Sequence, residues 1–156
     1  MTDQQVVIRP FRANEIDRLL FLCAEHAAYE KIDFTSEGKA DHMLGAIFSQ
    51  PVRLWCFVAE VNGAVVGYAT CTKDFSTLRA SEYLHVDCLH IARGYRGLGI
   101  GKKMMFAIAA HAASMGCSTL EWQTPIWNES AIRFYRKLGA VGNDKARFRW
   151  DPGQST

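Results

Sequence analysis

The segment Arg96-Gly97-Leu98-Gly99-Ile100-Gly101 stands between a strand-forming stretch and a helix-forming one. Glycine allows the backbone to adopt positive φ values and to approach a ligand closely. The N–H groups of such a turn and of the first helical turn converge on one point, where the helix dipole adds positive potential. Arg96 and Lys102 supply cationic side chains that can contact an anion. The turn therefore predicts a phosphate-binding site.

Two common phosphate motifs do not match this turn. A Walker A loop would need Gly in place of Arg96 and Ser or Thr in place of Lys103, and the dinucleotide motif would need Gly at Lys102 or Met104. A tight strand–helix connection without a ligand is the alternative interpretation. Four glycines within residues 94–101, flanked by basic residues, favour phosphate binding over that alternative.

A second segment, residues 127–140, has the pattern of a short capped helix. Asn128 can cap its N-terminus, and Gly139 follows its last apolar position. Ala131, Phe134, Tyr135 and Leu138 fall on one helical face, so periodicity alone favours a packing role for Tyr135.

Together the two segments resemble the signatures of the GNAT superfamily of N-acetyltransferases. Arg96, Gly99 and Gly101 match the pattern [Arg/Gln]-x-x-Gly-x-[Gly/Ala], and the later segment matches Asn, Ala, Phe-Tyr and Gly-Ala. The resemblance implies acetyl-CoA as co-substrate and no metal. It also implies the GNAT fold, a mixed α/β (α+β) architecture with a central sheet of six to seven strands and about four helices. In that fold the strands at 83–91 and 118–124 splay apart in a V.

The resemblance also implies roles for individual residues. The turn takes the CoA pyrophosphate, the strand before it runs along the pantetheine arm, and the N–H near Ile91 polarises the acetyl carbonyl. Tyr135 lies beside the sulfur and protonates the leaving thiolate, whose thiol has a pKa of ~8.5. The residues expected at CoA are Leu89, His90, Ile91, Arg96, Gly97, Leu98, Gly99, Ile100, Gly101, Lys102, Asn128, Ala131, Phe134 and Tyr135.

The strand at 83–91 carries the candidate bases for an amine acceptor, which must lose a proton before it attacks. Strict alternation places His85 and Asp87 on one face and Cys88 and His90 on the other, which argues against one metal site. Asp87 and His85 are the predicted bases, with a buried polar pair as the alternative. A bulge, which is common in this strand in the family, would change the parity beyond Leu89. Cys88 suggests an acetyl-cysteine intermediate, although the family usually transfers directly.

A looser resemblance, over about residues 20–141, points to the diamine and polyamine branch of the superfamily. It rests on Ala27-Ala28-Tyr29-Glu30, on residues 57–61 and 83–88, and on Trp127-Asn128-Glu129. Cys88 departs from it, because that branch often has a second acid there. A small cationic amine is therefore the expected substrate, held by charge and cation–π contacts from Tyr29, Glu30, Asp33, Asp87 and Trp122.

Other acceptors remain open, namely an aminoglycoside, an amino acid, a peptide amine or a protein lysine. A hypothesis from another class is a sensor module that binds acetyl-CoA without turnover. Retention of both Tyr135 and Asp87 argues against the sensor.

Composition fits one domain over residues 1–156. The chain is 49% hydrophobic and 22% charged with a net charge of +2, which favours neither nucleic acid nor a membrane as partner. Five scattered cysteines indicate a reducing compartment, and residues 104–113 are too short for a membrane span. No signal peptide is visible, so a cytoplasmic protein is expected. The family resemblance implies a homodimer.

The elements that must position these residues follow the order β-α-α-β-β-β-α-β-α-β. Asn14 is expected to cap the first helix, Asn62-Gly63 to close a hairpin, and residues 73–80 to form a loop. The predicted strands cover residues 6–8, 54–61, 64–71, 83–91, 118–124 and 146–150. The predicted helices begin near residues 15, 39, 99 and 129.

Overall fold

The computed structural model describes residues 4–154. In chain order the elements are β1 (Val6–Pro10), α1 (Ile16–Tyr29), α2 (Lys39–Phe48), β2 (Trp55–Val61), β3 (Ala64–Ser76), β4 (Ser81–Ile91), α3 (Ile100–Ser114), β5 (Leu120–Trp122) and α4 (Glu129–Lys137). Two compact units make up the chain, the first ending at Gln123 and the second beginning at Thr124. The predicted mixed α/β class is confirmed.

The first unit is built on a five-stranded sheet in the order β1-β2-β3-β4-β5. Strands β1 to β4 pair with one another in antiparallel orientation, and β5 pairs with β4 in parallel orientation. Asn62 and Gly63 connect β2 to β3 with φ values of 49° and 85°, which is the turn that a two-residue hairpin requires. The hairpin predicted from these two residues is confirmed.

Helices cover both faces of this sheet. On one face, Leu19 and Leu22 of α1 pack in a core cluster with Val58 and Tyr68. On the other face, the His111 ring of α3 lies 5.6 Å from the ring of Trp55 and 5.2 Å from that of Phe57. Because Phe57 and Val58 are consecutive strand residues, they point to opposite faces. The sheet is therefore a middle layer, with α1 and α2 on the Tyr68 face and α3 on the Phe57 face.

A β-bulge interrupts β4 at Asp87. Thr70 pairs with Cys88 and Cys71 pairs with Val86, so Asp87 is the extra residue between them. Cross-strand partners share a face, and the bulge therefore puts Cys88 on the Tyr68 face and Val86 on the opposite face.

The bulge corrects the strict alternation expected along this strand. His85 pairs with Thr72 and His90 with Tyr68, so both histidines share the face of Cys88, while Leu89 joins the other face. Among residues 4–154, no group of three or more His, Cys, Asp or Glu side chains is placed to hold a metal ion.

Strands β4 and β5 pair over three residues only. The pairs are Leu84 with Leu120, His85 with Glu121 and Val86 with Trp122. Beyond Val86, β4 continues to Ile91 against β3, with no further pairing to β5. After the bulge, the edge of β4 that faces β5 therefore makes no strand pairs. The two strands separate at this point, as the expected V-shaped splay requires.

Several predicted boundaries were wrong. The sheet of the described residues has five strands instead of six to seven. Residues 146–150 form no strand, because alternation of side chains in the sequence does not by itself provide a neighbouring strand to pair with. The predicted loop at 73–80 is shorter, since β3 extends to Ser76 and β4 begins at Ser81. Asn14 lies in a short 3-10 turn, and Glu15 takes the N-cap position of α1.

Within the described residues, no helix combines the length and apolar character needed to span a bilayer.

Gly67 of β3 allows β4 to approach closely. A Cβ added there would lie 2.5 Å from Ile91 Cδ1 and 2.9 Å from the His90 carbonyl oxygen. We expect Gly67→Ala to lower the free energy of unfolding by about 1–3 kcal/mol through overpacking. Gly45→Ala, inside α2 with open space around its Cβ, is the matched control and should raise it by about 0.5–1 kcal/mol. Urea unfolding measures both, and equal effects would contradict the close-approach argument.

Candidate active site

The glycine-rich turn forms the entry to α3. Gly97 and Gly99 have φ values of 78° and 75°, and Gly99 is the N-cap of the helix. No side chain caps the first turn of α3, and that turn contains no acidic residue. Residues 96–99 are exposed, while Ile100 is buried and anchors the helix start. The N–H groups at this helix start are therefore available to an external anion.

Arg96 links the turn to the end of β4. Its Nε donates a hydrogen bond of 2.9 Å to the Ile91 carbonyl oxygen, and its guanidinium lies 4.8 Å from the centre of the Tyr29 ring. Tyr29, predicted to contact the amine, is thus packed against Arg96 at the glycine-rich turn. The two contacts of Arg96 connect the turn with β4 and with α1.

The backbone of Ile91 points to the released edge of β4. The N–H of Ala92 donates to the Val66 carbonyl oxygen of β3 at 2.8 Å. Successive residues of an antiparallel strand direct their N–H and C=O groups to alternate edges. The N–H of Ile91 therefore faces away from β3, on the side where β5 no longer pairs. Such a group can donate to an oxygen that acquires negative charge.

The predicted bases lie at the bulge and two residues before it. Asp87 is exposed at the bulge itself, and His85 is half-buried on the Tyr68 face. Cys88 donates a weak hydrogen bond of 3.6 Å from Sγ to Asp87 Oδ2. Burial, followed by the nearby Asp87 carboxylate, raises the pKa of the Cys88 thiol to about 12. The thiol is therefore neutral at physiological pH.

His90 is part of the core. Its side chain is 2% exposed, and its Nε2 is hydrogen-bonded to Glu25 Oε1 at 2.8 Å. Burial lowers the pKa of His90, and the hydrogen bond to Glu25 opposes that shift. The ring also stacks on His26, with centroids 5.0 Å apart. The side chain of His90 thus faces α1, and any contact of this residue with CoA is left to its backbone.

A cavity of about 390 Å³ lies between β3, β4, α1 and α2. Glu30 Oε1 lies 3.4 Å from His26 Nε2, and His26 Nδ1 is hydrogen-bonded to the Tyr68 hydroxyl at 2.8 Å. The lining residues are Cys23, His26, Ala27, Glu30, Ile32, Phe34, Lys39, His42, Met43, Tyr68 and Cys88. Because Cys88 is among them, the cavity reaches the strand that carries Ile91.

Only some of the residues predicted to bind the amine line this cavity. Glu30 lines it, whereas Asp33 is exposed in the loop between α1 and α2 and does not. Trp122 pairs with Val86, which places it on the opposite face of the sheet from Cys88. Sequence reasoning missed His26, Lys39, Met43 and Tyr68, since helical and strand spacing made them resemble ordinary packing positions. A His four residues before Glu30 on one helix was the available signal.

The second unit contains the remaining residues that the sequence analysis expects at CoA. Asn128 Oδ1 accepts from the Ala131 N–H at 3.4 Å, which confirms the N-cap of α4, and Asn128 Nδ2 donates to Thr124 Oγ1 at 3.3 Å. The rings of Phe134 and Tyr135 lie 5.2 Å apart, and both side chains are half-buried. Gly139, with a φ of 93°, ends the helix as predicted.

Comparison with known proteins shows the family of this chain. The model of the acetyltransferase (GNAT) family matches residues 16–140. Thialysine N-epsilon-acetyltransferase of Bos taurus is 29% identical over 143 residues, covering 86% of this chain and 84% of the relative. Spermidine/spermine N(1)-acetyltransferase-like protein 1 of Homo sapiens is 27% identical over 141 residues, covering 86% of this chain and 20% of the relative.

The fold is also shared with solved structures. The aminoglycoside N-acetyltransferase AAC(6')-Iy in complex with CoA superposes with a TM-score of 0.81 at 14% identity, covering 96% of this chain and 97% of that chain. This likeness concerns the fold. The family model, in contrast, spans most of the sequence, and the chain belongs to the GNAT family of acetyltransferases, enzymes that use acetyl-CoA as acyl donor.

Proposed function

We propose that this chain transfers the acetyl group of acetyl-CoA directly to the primary amine of a small substrate that arrives as a cation. The observation that supports the proposal is the start of α3 at Gly99, where no side chain caps the helix. It follows β4, whose edge makes no pairs with β5 after the bulge. The first feature suits the pyrophosphate of CoA, and the second leaves room for an acyl arm beside Ile91.

The chain's own groups would divide the work as follows. Acetyl-CoA supplies an activated thioester, and the N–H of Ile91 donates to its carbonyl oxygen. Asp87 at the bulge, or His85 two residues before it, accepts the proton of the incoming amine, directly or through water. Tyr135 protonates the departing sulfur, a role that rests on its match to the family signature.

The test is release of the CoA thiol with a panel of amines at saturating acetyl-CoA. The names of the relatives keep diamines and polyamines in the panel, beside aminoglycosides, amino acids and peptides. Release with at least one small amine is the expected result. Binding of acetyl-CoA without release across the panel would favour a sensor module, and failure to bind CoA would reject the proposal. Cytoplasmic location and a homodimeric state stay predictions from the sequence.

If the acetyl group passes directly from CoA to the amine, the thiol of Cys88 is not needed for turnover. A neutral thiol with a pKa of about 12 is a poor nucleophile at physiological pH. Cys88→Ala should therefore lower kcat by less than about tenfold, whereas removal of a covalent nucleophile costs several orders of magnitude. Mass spectrometry of the wild-type protein with acetyl-CoA alone should detect no acetyl adduct. An adduct at Cys88 that disappears in the alanine variant would contradict direct transfer.

A further inference from the structure

The cavity beside Cys88 has two walls of different character. One wall comes from α1, β3 and β4 and contains the connected groups Glu30, His26 and Tyr68. The other comes from α2 and the loop before it, and contributes the apolar side chains of Ile32, Phe34 and Met43. A ligand that enters the cavity thus meets a carboxylate on one side, and hydrocarbon beside the basic side chains of Lys39 and His42 on the other.

The charges around the cavity do not suit a polycation. Among the described residues that line it, Glu30 is the sole carboxylate, and it already lies 3.4 Å from His26. Lys39 and His42 stand on the α2 wall. The Lys39 ammonium is held 5.1 Å from the centre of the Phe34 ring, which keeps its charge at the apolar wall.

We infer that the acceptor is a primary amine with one positive charge and a hydrocarbon body, and that Lys39 disfavours a second ammonium group. The inference rests on the proposed acetyltransferase activity. The amine is placed at the wall of Glu30 and His26, which continues to β4 at Cys88. The body lies along Ile32, Phe34 and Met43. A volume of about 390 Å³ is at the lower end of the range for small-molecule pockets.

The physical basis of this selectivity is repulsion. A diamine whose reacting end reaches the β4 wall carries its far ammonium to the α2 wall, beside Lys39. There it meets a like charge, with apolar side chains in place of a second carboxylate. An alkyl amine of the same length brings no second charge to the Lys39 wall. The charge of Lys39 therefore gives specificity by repelling the far ammonium group of a diamine.

The experiment compares hexylamine with hexamethylenediamine, which differ only in the far ammonium group. Initial rates of CoA-thiol release at saturating acetyl-CoA give kcat/KM for each amine. Hexylamine should exceed the diamine by at least about tenfold. Lys39→Glu should reduce that ratio by at least about tenfold, and Lys39→Gln should give an intermediate value.

Lys31→Glu is the matched control. It makes the same change of charge in the neighbouring loop, at an exposed residue that does not line the cavity. This variant should keep the wild-type ratio. Because each variant is judged by a ratio of two amines, a general loss of active protein does not alter the result.

The outcomes separate the inference from the proposed function. Equal or faster turnover of the diamine by the wild type, with a ratio that Lys39→Glu leaves unchanged, would overturn the inference and leave acetyl transfer intact. Acetyl-CoA binding with no turnover of any amine in the wider panel would instead overturn the proposed function.

Discussion

Gly99→Val is expected to weaken CoA binding by roughly 10- to 100-fold, because a β-branched residue cannot hold the left-handed backbone of this position without strain of about 1–3 kcal/mol. Gly99 has a φ of 75° and caps α3, so relief of that strain moves the N–H groups that we propose bind the pyrophosphate. A Cβ at Gly99 has no neighbour within 4 Å, which means that the strain arises from the backbone and not from a clash. Calorimetric titration with CoA measures the effect.

Two controls restrict the interpretation to the phosphate. Gly94→Ala lies just before the turn, where φ is not in the left-handed region and a Cβ meets open space, so CoA affinity should stay at the wild-type value. Acetyl-pantetheine lacks the pyrophosphate, and Gly99→Val should use it as well as the wild type does. Normal CoA affinity in Gly99→Val, or an equal loss with acetyl-pantetheine, would count against the turn as the pyrophosphate site.

Tyr135→Phe is expected to lower kcat by roughly 100-fold or more, the usual scale for loss of a general acid. The ring stays and its contact with Phe134 is preserved, since only the hydroxyl is removed. Binding of acetyl-CoA should therefore change little. A loss in kcat with an unchanged Kd for acetyl-CoA is the pattern of an interaction that is made only in the transition state.

Tyr83→Phe is the matched control for this substitution. Its hydroxyl lies 3.5 Å from Asp74 Oδ2, near the opposite end of β4 from Ile91, and its loss should change kcat by no more than about twofold. Steady-state rates and calorimetric titration of both variants are the measurements. Wild-type turnover in Tyr135→Phe would rule out the acid role, and an equal loss in both variants would indicate a general structural effect.

Local signals predicted those features that depend on a few neighbouring residues. Helix α2 has the predicted bounds of residues 39 and 48, and the Asn62-Gly63 turn and the Asn128 cap form as expected. In each case the determining contact lies within four residues of the signal. Positive φ at Gly99 and Gly139 belongs to the same class, because glycine adopts that conformation with least cost.

The sequence could not locate the bulge. Strict alternation placed His85 with Asp87 and separated both from Cys88 and His90, whereas the register with β3 inserts Asp87 as an extra residue. Register is decided by the packing of both sheet faces against α1 and α3, and a shift of one residue reverses every side chain beyond it. The sheet face on which Cys88 and His90 lie was therefore decided by the tertiary structure.

What the sequence determined by itself is the acyl donor. The glycine turn alone predicted a phosphate site, because phosphate binding by a turn depends on local backbone conformation. The resemblance of Arg96, Gly99 and Gly101, and then of Asn128 and Tyr135, to the GNAT signatures implied that the phosphate belongs to acetyl-CoA. The lining of the cavity proposed for the acceptor was decided by the tertiary structure alone. The cavity joins Glu30, Lys39, Tyr68 and Cys88 from four separate parts of the chain, and excludes Asp33 and Trp122. No local pattern encodes such a meeting, because it depends on how helices and strands distant in sequence pack together.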